Sequence, residues 1–447
     1  MQSPVHILIN ISLLLILLGC ESPNLATLAP PVSIAAPPPV VEDFDTPLQQ
    51  LIERHQLQAL PTSAPNITTA RAQLGMQLFF SKALGTQTNA SCATCHHPLS
   101  AGSDDLSLSM GVDAANPQTL LSPHFLTFFT TVVPRNAPTT FNSHLWQTHL
   151  LQSGYIEHNC FNKAHTCEPL LDAVVELSSL ELKITNKLDQ QFWRKLYAKA
   201  FNLPVNTKQK LITKQHTAQA LTAYLQSQTF VNNAWFAYLQ GNKQAINESA
   251  KRGALLFYRS RLEGGFDCVQ CHSGSRFTDE QFHNLLMPIL YPQPKPDAEP
   301  VIDYGRWFVT QKTLDKFRFR TPSLLNVAET APWGHNGAYS SLSGIVRHML
   351  DPYQSLLNYD SSQIRQPHVV ALPLKPTIQE MLSMSNTDLL KQPYTEAQVQ
   401  DLLAFLNTLT DPCIKQASCM KAWLPAKPFS QADTENLPLL FWAFWQH

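Results

Sequence analysis

The pentapeptide Cys-X-X-Cys-His occurs twice, as Cys92-Ala93-Thr94-Cys95-His96 and as Cys268-Val269-Gln270-Cys271-His272, once in each half of a 447-residue chain. No other feature constrains the fold as strongly. In this arrangement two thiols can form thioether bonds to a porphyrin while the adjacent histidine binds the iron from below, the attachment signal of c-type haem. Zinc, a redox dithiol and a structural disulfide are the competing readings. Zinc ribbons, however, place their cysteine pairs roughly 15–20 residues apart. With only 9 Cys and 16 His present, two chance occurrences are negligible. The expectation is two covalently bound haems, on Cys92 and Cys95 and on Cys268 and Cys271, with His96 and His272 as axial iron ligands.

The amino-terminal residues give an address. Ile7 to Leu18 is apolar but broken by Asn10 and Ser12. It falls short of the about 20 residues that span a bilayer and fits a secretory signal. It ends in Leu17-Leu18-Gly19-Cys20, which resembles a bacterial lipobox, so residues 1–20 read as a lipoprotein signal peptide with Cys20 lipidated. A plain secretory signal or an uncleaved anchor is the alternative. Glu21 after the cysteine suggests a periplasmic protein held at the outer membrane. Of the nine cysteines, Cys160, Cys167, Cys413 and Cys419 then remain. They form two close pairs, which suit local disulfides in an oxidising compartment; free structural thiols are the other reading. A net charge of −1 without a basic run speaks against nucleic acid as a partner.

Low glycine and high proline, 15 and 33 residues, suggest helices joined by long loops. Residues 21–65 are rich in Pro, Ala and Ser and read as an extended linker. Helical periodicity predicts helices over Thr69 to Phe80, Gln190 to Ala200, Lys214 to Gln240 and Ile246 to Tyr258. Thr395 to Thr410 is the clearest, with Thr395 and Gln398 as a capping box and Asp411-Pro412 as its stop. No strong strand pattern is present. Each half repeats helix, pentapeptide, long loop, helices. The expected fold is mainly α, with two cytochrome c-like haem domains in tandem, over 66–245 and 246–430. The aromatic tail 431–447 is expected to dock on the body.

Further stretches carry a resemblance. Leu78-Phe79-Phe80, Pro134-Arg135-Asn136-Ala137-Pro138-Thr139, Phe277-Thr278-Asp279, Phe282-His283-Asn284, Arg320-Thr321-Pro322-Ser323-Leu324-Leu325-Asn326-Val327 and Pro332-Trp333-Gly334-His335-Asn336-Gly337 resemble the bacterial di-haem cytochrome c peroxidase family, which includes MauG-type enzymes. The resemblance implies a peroxidatic N-terminal domain and a C-terminal domain that receives electrons. It also implies that the sixth ligand of the C-terminal haem is Met349, where MauG-type members have Tyr; His348 is the rival. A thioether ligand raises a haem potential and suits electron storage. Val112 stands where many of the peroxidases carry a distal histidine, so His96 is expected to be alone on the N-terminal iron, with His97, Met110 and His124 as alternatives. Glu181, in Ser178-Ser179-Leu180-Glu181-Leu182, matches the family's catalytic carboxylate, with Glu176 as runner-up; solvated helix-face carboxylates are the bland reading of both.

Two further implications concern the space between the domains. Gln152 replaces the tryptophan that commonly lies between the haems, which leaves Trp146 and Trp333 as substitutes or as packed core residues. A calcium ion is implied on the Asn136 side chain and the carbonyls of Arg320 and Pro322, a set of oxygen donors that suits that ion; Asn136 as a loop cap is the alternative. The resemblance implies a peroxidase that reduces hydrogen peroxide with electrons from a small cytochrome c or copper protein, often as a homodimer. A MauG-type oxidase of Trp or Tyr on a partner protein and a non-enzymatic electron carrier are the two other functions considered.

Overall fold

The structure, a computed structural model, describes residues 43–62, 66–84, 91–109, 133–151, 156–159, 169–176, 187–292, 302–367, 369–372, 375–384 and 391–426. Helices follow one another as α1 (Asp45–Arg54), α2 (Ala70–Phe80), α3 (Cys92–Cys95), α4 (Pro169–Glu176), α5 (Lys187–Phe201), α6 (Lys214–Ser227), α7 (Ala234–Leu239), α8 (Glu248–Tyr258), α9 (Trp307–Thr310), α10 (Leu342–Leu350), α11 (Pro352–Leu357), α12 (Lys375–Ser383), α13 (Glu396–Asn407) and α14 (Ala417–Met420). The described sheet is limited to antiparallel two-stranded ladders. Strand β1 (Thr148–Leu151) pairs with β2 (Ile156–Asn159), β3 (Phe282–His283) with β5 (Phe319–Arg320), and β4 (Leu290–Pro292) with β6 (Val369–Ala371). The chain is mainly helical, as its periodicity predicts. No helix among the described residues is long and apolar enough to cross a membrane.

Two helix pairs, each leading into one pentapeptide, are built alike. In the first, α2 crosses α6 at Gly75, where an added Cβ would lie 1.9 Å from the Ala220 carbonyl oxygen and 2.8 Å from Tyr224 Cβ. In the second, α8 crosses α13 at Gly253, where a Cβ would lie 1.9 Å from the Asp401 carbonyl oxygen and 2.8 Å from Phe405 Cβ. Only a residue without a side chain lets two helix backbones come this close. One turn further on, an aromatic pair closes each crossing: Phe79 meets Tyr224 at 5.1 Å and 54°, and Phe257 meets Phe405 at 5.2 Å and 56°. The leading helices are capped alike, by Thr69 on Ala72 N–H and by Asn247 on Ala250 N–H, each satisfying a first-turn donor. One core gathers Leu74, Leu78, Trp193, Tyr197 and Leu221 around the first pair. A second gathers Trp235, Ala254, Val399, Leu402 and Leu406 around the other.

The structure corrects two expectations. The proline-rich linker does not run extended to residue 65: α1 buries Leu48 and Leu51 in the second core, and Asp45 pairs with Lys251 of α8 at 2.7 Å. The amphipathic stretch Leu48-Leu51-Ile52 binds the apolar face of α8, which composition averaged over the segment conceals. The helix expected over Lys214 to Gln240 is two helices. Its chain leaves the helix at Gln228, where Phe230 donates its N–H to Asn142 Oδ1 (2.7 Å) and its carbonyl accepts from Asn142 and Asn326. Asn233 then caps α7. Side chains from distant segments replace the helical bonds, a tertiary effect that periodicity does not report.

The capping box of Thr395 and Gln398 forms at α13 as expected. Beyond α13 the chain returns to the first pair. Cys413 and Cys419 are joined as a disulfide, and Met420 and Trp423 pack with Phe141 and Phe230. Trp423 donates its indole N–H to the Ser227 carbonyl, while its own carbonyl accepts the Tyr224 hydroxyl. Cys20, Cys160, Cys167 and the tail 431–447 lie outside the described residues.

Candidate functional site

The first pentapeptide occupies the single turn α3, opened by a capping box between Ser91 and Thr94. His96 sits at its C-cap with a non-helical backbone. Its Nδ1 lies 3.0 Å from the Pro138 carbonyl oxygen and 3.3 Å from that of Gly102. Gly102 takes φ +76° to turn its carbonyl this way, with Thr140 backbone so close that a Cβ would meet it at 2.8 Å. The second pentapeptide begins in a short turn after Asp267, itself left-handed. His272 Nδ1 lies 3.0 Å from the Phe277 carbonyl oxygen, and the nearby Pro322 carbonyl also works to raise the pKa of the ring.

Both histidines are thus built alike. Nδ1–H donates to backbone carbonyls, which fixes the tautomer and leaves the Nε2 lone pair for a metal. Burial lowers the pKa of each ring, which keeps the imidazoles neutral as ligation requires. The four cysteines are not joined to one another. Burial pushes the Cys92 thiol up to about 11 and those of Cys95 and Cys268 to about 12. Cysteines outside any disulfide beside an oriented, metal-ready imidazole fit a covalently attached haem at both motifs. Cys271 also lies within ligand distance of Asp279 and His283, the three ligand atoms being within 4.8 Å of one another. That thiol belongs to the pentapeptide, and His283 Nε2 is paired with Asp279 at 2.8 Å.

At the second motif the two rival ligands differ in their surroundings. His348 is 0% exposed; its Nδ1 bonds the Tyr339 hydroxyl and its Nε2 the Leu285 carbonyl, each at 2.8 Å. With both nitrogens engaged, it is held as a packing residue. Met349 lies on the face of α10 that carries Leu342, Ile345 and Val346 and keeps 38% of its surface exposed. At the first motif His97 caps the turn after it, its Nδ1 accepting from Leu99 N–H at 3.2 Å, and its ring packs edge-on against Phe80. Glu181, Met110, Val112, His124 and Gln152 lie outside the described residues. Glu176 ends α4. Trp146 is buried in the second core, and Trp333 donates its indole N–H to the Val327 carbonyl.

The expected calcium ligands fall at the junction of the two halves. Asn136 donates its side-chain N–H to the Leu106 carbonyl and its backbone N–H to the His335 carbonyl (2.5 and 2.9 Å). The arrangement leaves Asn136 Oδ1 available as a donor to an ion. Beside it Arg135 forms a two-bond pair with Asp303 (2.6 and 2.8 Å). Burial works to raise the Asp303 carboxyl, but the Arg135 guanidinium outweighs it and holds the acid below its ordinary range. Arg320 buries Nε and Nη1 without a hydrogen-bond partner, a cost a nearby anion would offset.

Sequence reasoning missed three groups here. Glu280, 1% exposed, binds Arg276 and the N–H groups of Gln147 and Thr148. Asp104 has its carboxyl pushed up to about 6 by burial. The Phe319 and His335 rings stack at 3.4 Å and 7°. The Gln147 and Thr148 donors to Glu280 and the burial of Asp104 arise from packing, which local spacing does not report.

Residues 69–244 match the family model of the di-haem cytochrome c peroxidases. The methylamine utilization protein MauG of Methylophilus methylotrophus is 27% identical over 364 residues, which cover 79% of this chain and 86% of that protein. Cytochrome c551 peroxidase of Pseudomonas aeruginosa is 27% identical over 323 residues, 68% of this chain and 81% of that one. The crystal structure of a MauG-like protein associated with microbial copper homeostasis shares the fold with a TM-score of 0.56 at 21% identity, over 81% of this chain and 95% of that chain. The Y463M variant of the diheme peroxidase BthA from Burkholderia thailandensis aligns with a TM-score of 0.50 at 21% identity, over 83% and 93%. With its two oriented histidines and four cysteines outside any disulfide, the chain is similar, over residues 69–244, to the di-haem cytochrome c peroxidases, oxidoreductases whose members are named both cytochrome c peroxidase and MauG.

Proposed function

We propose that this protein reduces hydrogen peroxide to water with electrons from a small redox protein, a cytochrome c or a copper protein. The observation that carries the reading is the matched pair of pentapeptides, each with a neutral histidine held by backbone carbonyls at Nδ1. The repeated glycine crossing supports two tandem cytochrome c-like domains, 66–245 peroxidatic and 246–430 electron-receiving. Cys92, Cys95 and His96 hold the first haem; Cys268, Cys271, His272 and Met349 hold the second. Haem iron, when bound, supplies the centre at which peroxide oxygen takes up electrons and the store from which they come. Glu181 takes a proton from the near peroxide oxygen and returns it to the far one. Two electrons and two protons convert one peroxide to two waters. Calcium on Asn136 and on the carbonyls of Arg320 and Pro322 fastens the two halves. The protein works in the periplasm, tethered to the outer membrane by lipid on Cys20.

A second reading, oxidation of Trp or Tyr on a partner protein, draws on Val112 and Gln152, which replace the distal histidine and the bridging tryptophan. Against it stands Met349 in place of Tyr. A peroxide titration of the half-reduced, haem-loaded protein with reduced cytochrome c separates the two. Rapid catalytic oxidation of the donor is expected. A long-lived oxidised haem state without donor turnover would favour the second reading, and no reaction with peroxide would leave an electron carrier. In the same assay Met349→Ala is expected to lower the potential of the second haem; an unchanged potential would overturn that ligand.

A further inference from the structure

The two proximal histidines lie against chain segments that meet each other. His96 holds the Pro138 carbonyl, at the end of the segment 135–138. The Pro322 carbonyl, at the end of the segment 319–322, lies close enough to His272 to raise its pKa. His335 joins the two segments. Its carbonyl accepts the Asn136 N–H at 2.9 Å, and its ring stacks on Phe319 with centroids 3.4 Å apart and 7° between planes. Arg135 also lies over the Phe319 ring, its Cζ 5.2 Å from the centroid, and is pinned by its two bonds to Asp303. A contiguous set of bonded, stacked and neighbouring groups therefore runs from one iron ligand to the other. Trp146 is buried in the second core, against which Trp333 also packs.

We propose that the Phe319–His335 stack is the bridge through which an electron passes between the two haem sites, in a chain that has Gln152 where an indole would otherwise stand. The inference rests on two haems being held as proposed above. One electron leaves the iron on His272, which is oxidised, and reaches the iron on His96, which is reduced; no bond forms or breaks and no proton moves. The coupling travels through packed, hydrogen-bonded groups, and the carbonyl partners of the two Nδ1 atoms keep each ligand oriented toward it. Arg135 and Asp303 are positioning residues that hold the stack closed.

The test is flash photoreduction of the fully oxidised, haem-loaded protein by a flavin. A second kinetic phase, independent of flavin concentration, reports redistribution of the electron between the haems. Phe319→Leu is expected to slow that phase about tenfold or more, while Phe319→Tyr retains it. His335→Phe, which keeps a ring against Phe319, is expected to retain it too. Haem content and both reduction potentials, measured on each variant, confirm that loading and driving force are unchanged. An unaltered redistribution rate in a fully loaded Phe319→Leu protein would overturn the bridge. Peroxide turnover of the unaltered protein is measured separately, and its absence would remove the peroxidase reading without touching the bridge.

Discussion

Gly75 passes Ala220 so closely that an ideal Cβ on the glycine would lie 1.9 Å from the alanine carbonyl oxygen. The obstacle is backbone on both sides, so no side-chain rotation relieves it. Gly253 stands in the same relation to Asp401 in the other half, and each crossing sits on the helix that leads into a pentapeptide. The distance between the paired helices in each half is therefore set by a hydrogen atom in place of a methyl group.

Gly75→Ala or Gly253→Ala should force the affected pair apart and cost about 3 kcal/mol or more, the upper end for overpacked cores. Denaturant unfolding of the haem-loaded protein checks this. A midpoint like that of the unaltered protein would show that the crossing tolerates separation.

The Arg135–Asp303 pair sets an acid limit. Asp303 is depressed in the folded state, so its contribution is present above the unfolded carboxylate value of about 4 and is lost as pH falls through the folded value. Asp303→Asn leaves Arg135 buried and unpaired and should cost about 3–5 kcal/mol at neutral pH. Its stability should also fall less steeply than that of the parent below about pH 4, read from unfolding curves at several pH values.

Asp104 acts in the opposite sense. Its carboxyl is raised to about 6, chiefly by burial, from an ordinary 3.8, so the folded form binds the proton more tightly than the unfolded form. Stability should decline as pH rises from about 4 to about 6. Asp104→Asn should remove that decline and stabilise the protein at pH 7 by on the order of 2 kcal/mol. Equal pH profiles for parent and variant would show that the carboxyl is not perturbed.

His348 is fixed by Tyr339 and the Leu285 carbonyl. His348→Leu should destabilise the protein by about 1–3 kcal/mol, because the Leu285 carbonyl loses its partner. The absorption and electron paramagnetic resonance spectra of the second haem should stay as they were. A change of ligand field in this variant would return His348 to the list of iron ligands.

The sequence was informative wherever a property is local. Cys92, Cys95 and His96, like Cys268, Cys271 and His272, identify themselves by spacing alone, since attachment needs two thiols and a ligand within one turn. Helices α2, α8 and α13 follow from their periodicity and caps. The run beyond Gln228 was not legible as a break, because Asn142 and Asn326, from distant segments, replace the helical bonds there. The helix α1 was hidden in a proline-rich segment, because its apolar face is stabilised by distant parts of the chain, α8 among them.

The sequence by itself determined where haem is to be expected, at the two pentapeptides, and a mainly helical scaffold. The tertiary structure decided the surroundings of the residues expected to serve that chemistry. His348 and Met349 are adjacent in the sequence, yet only the folded chain commits one ring to Tyr339 and Leu285 and leaves the thioether exposed. The stack of Phe319 on His335, the pairing of Arg135 with Asp303 and the contact of Gly75 with Ala220 likewise arise between residues far apart in the chain. Such contacts depend on how whole helices and loops pack, and no local spacing encodes them.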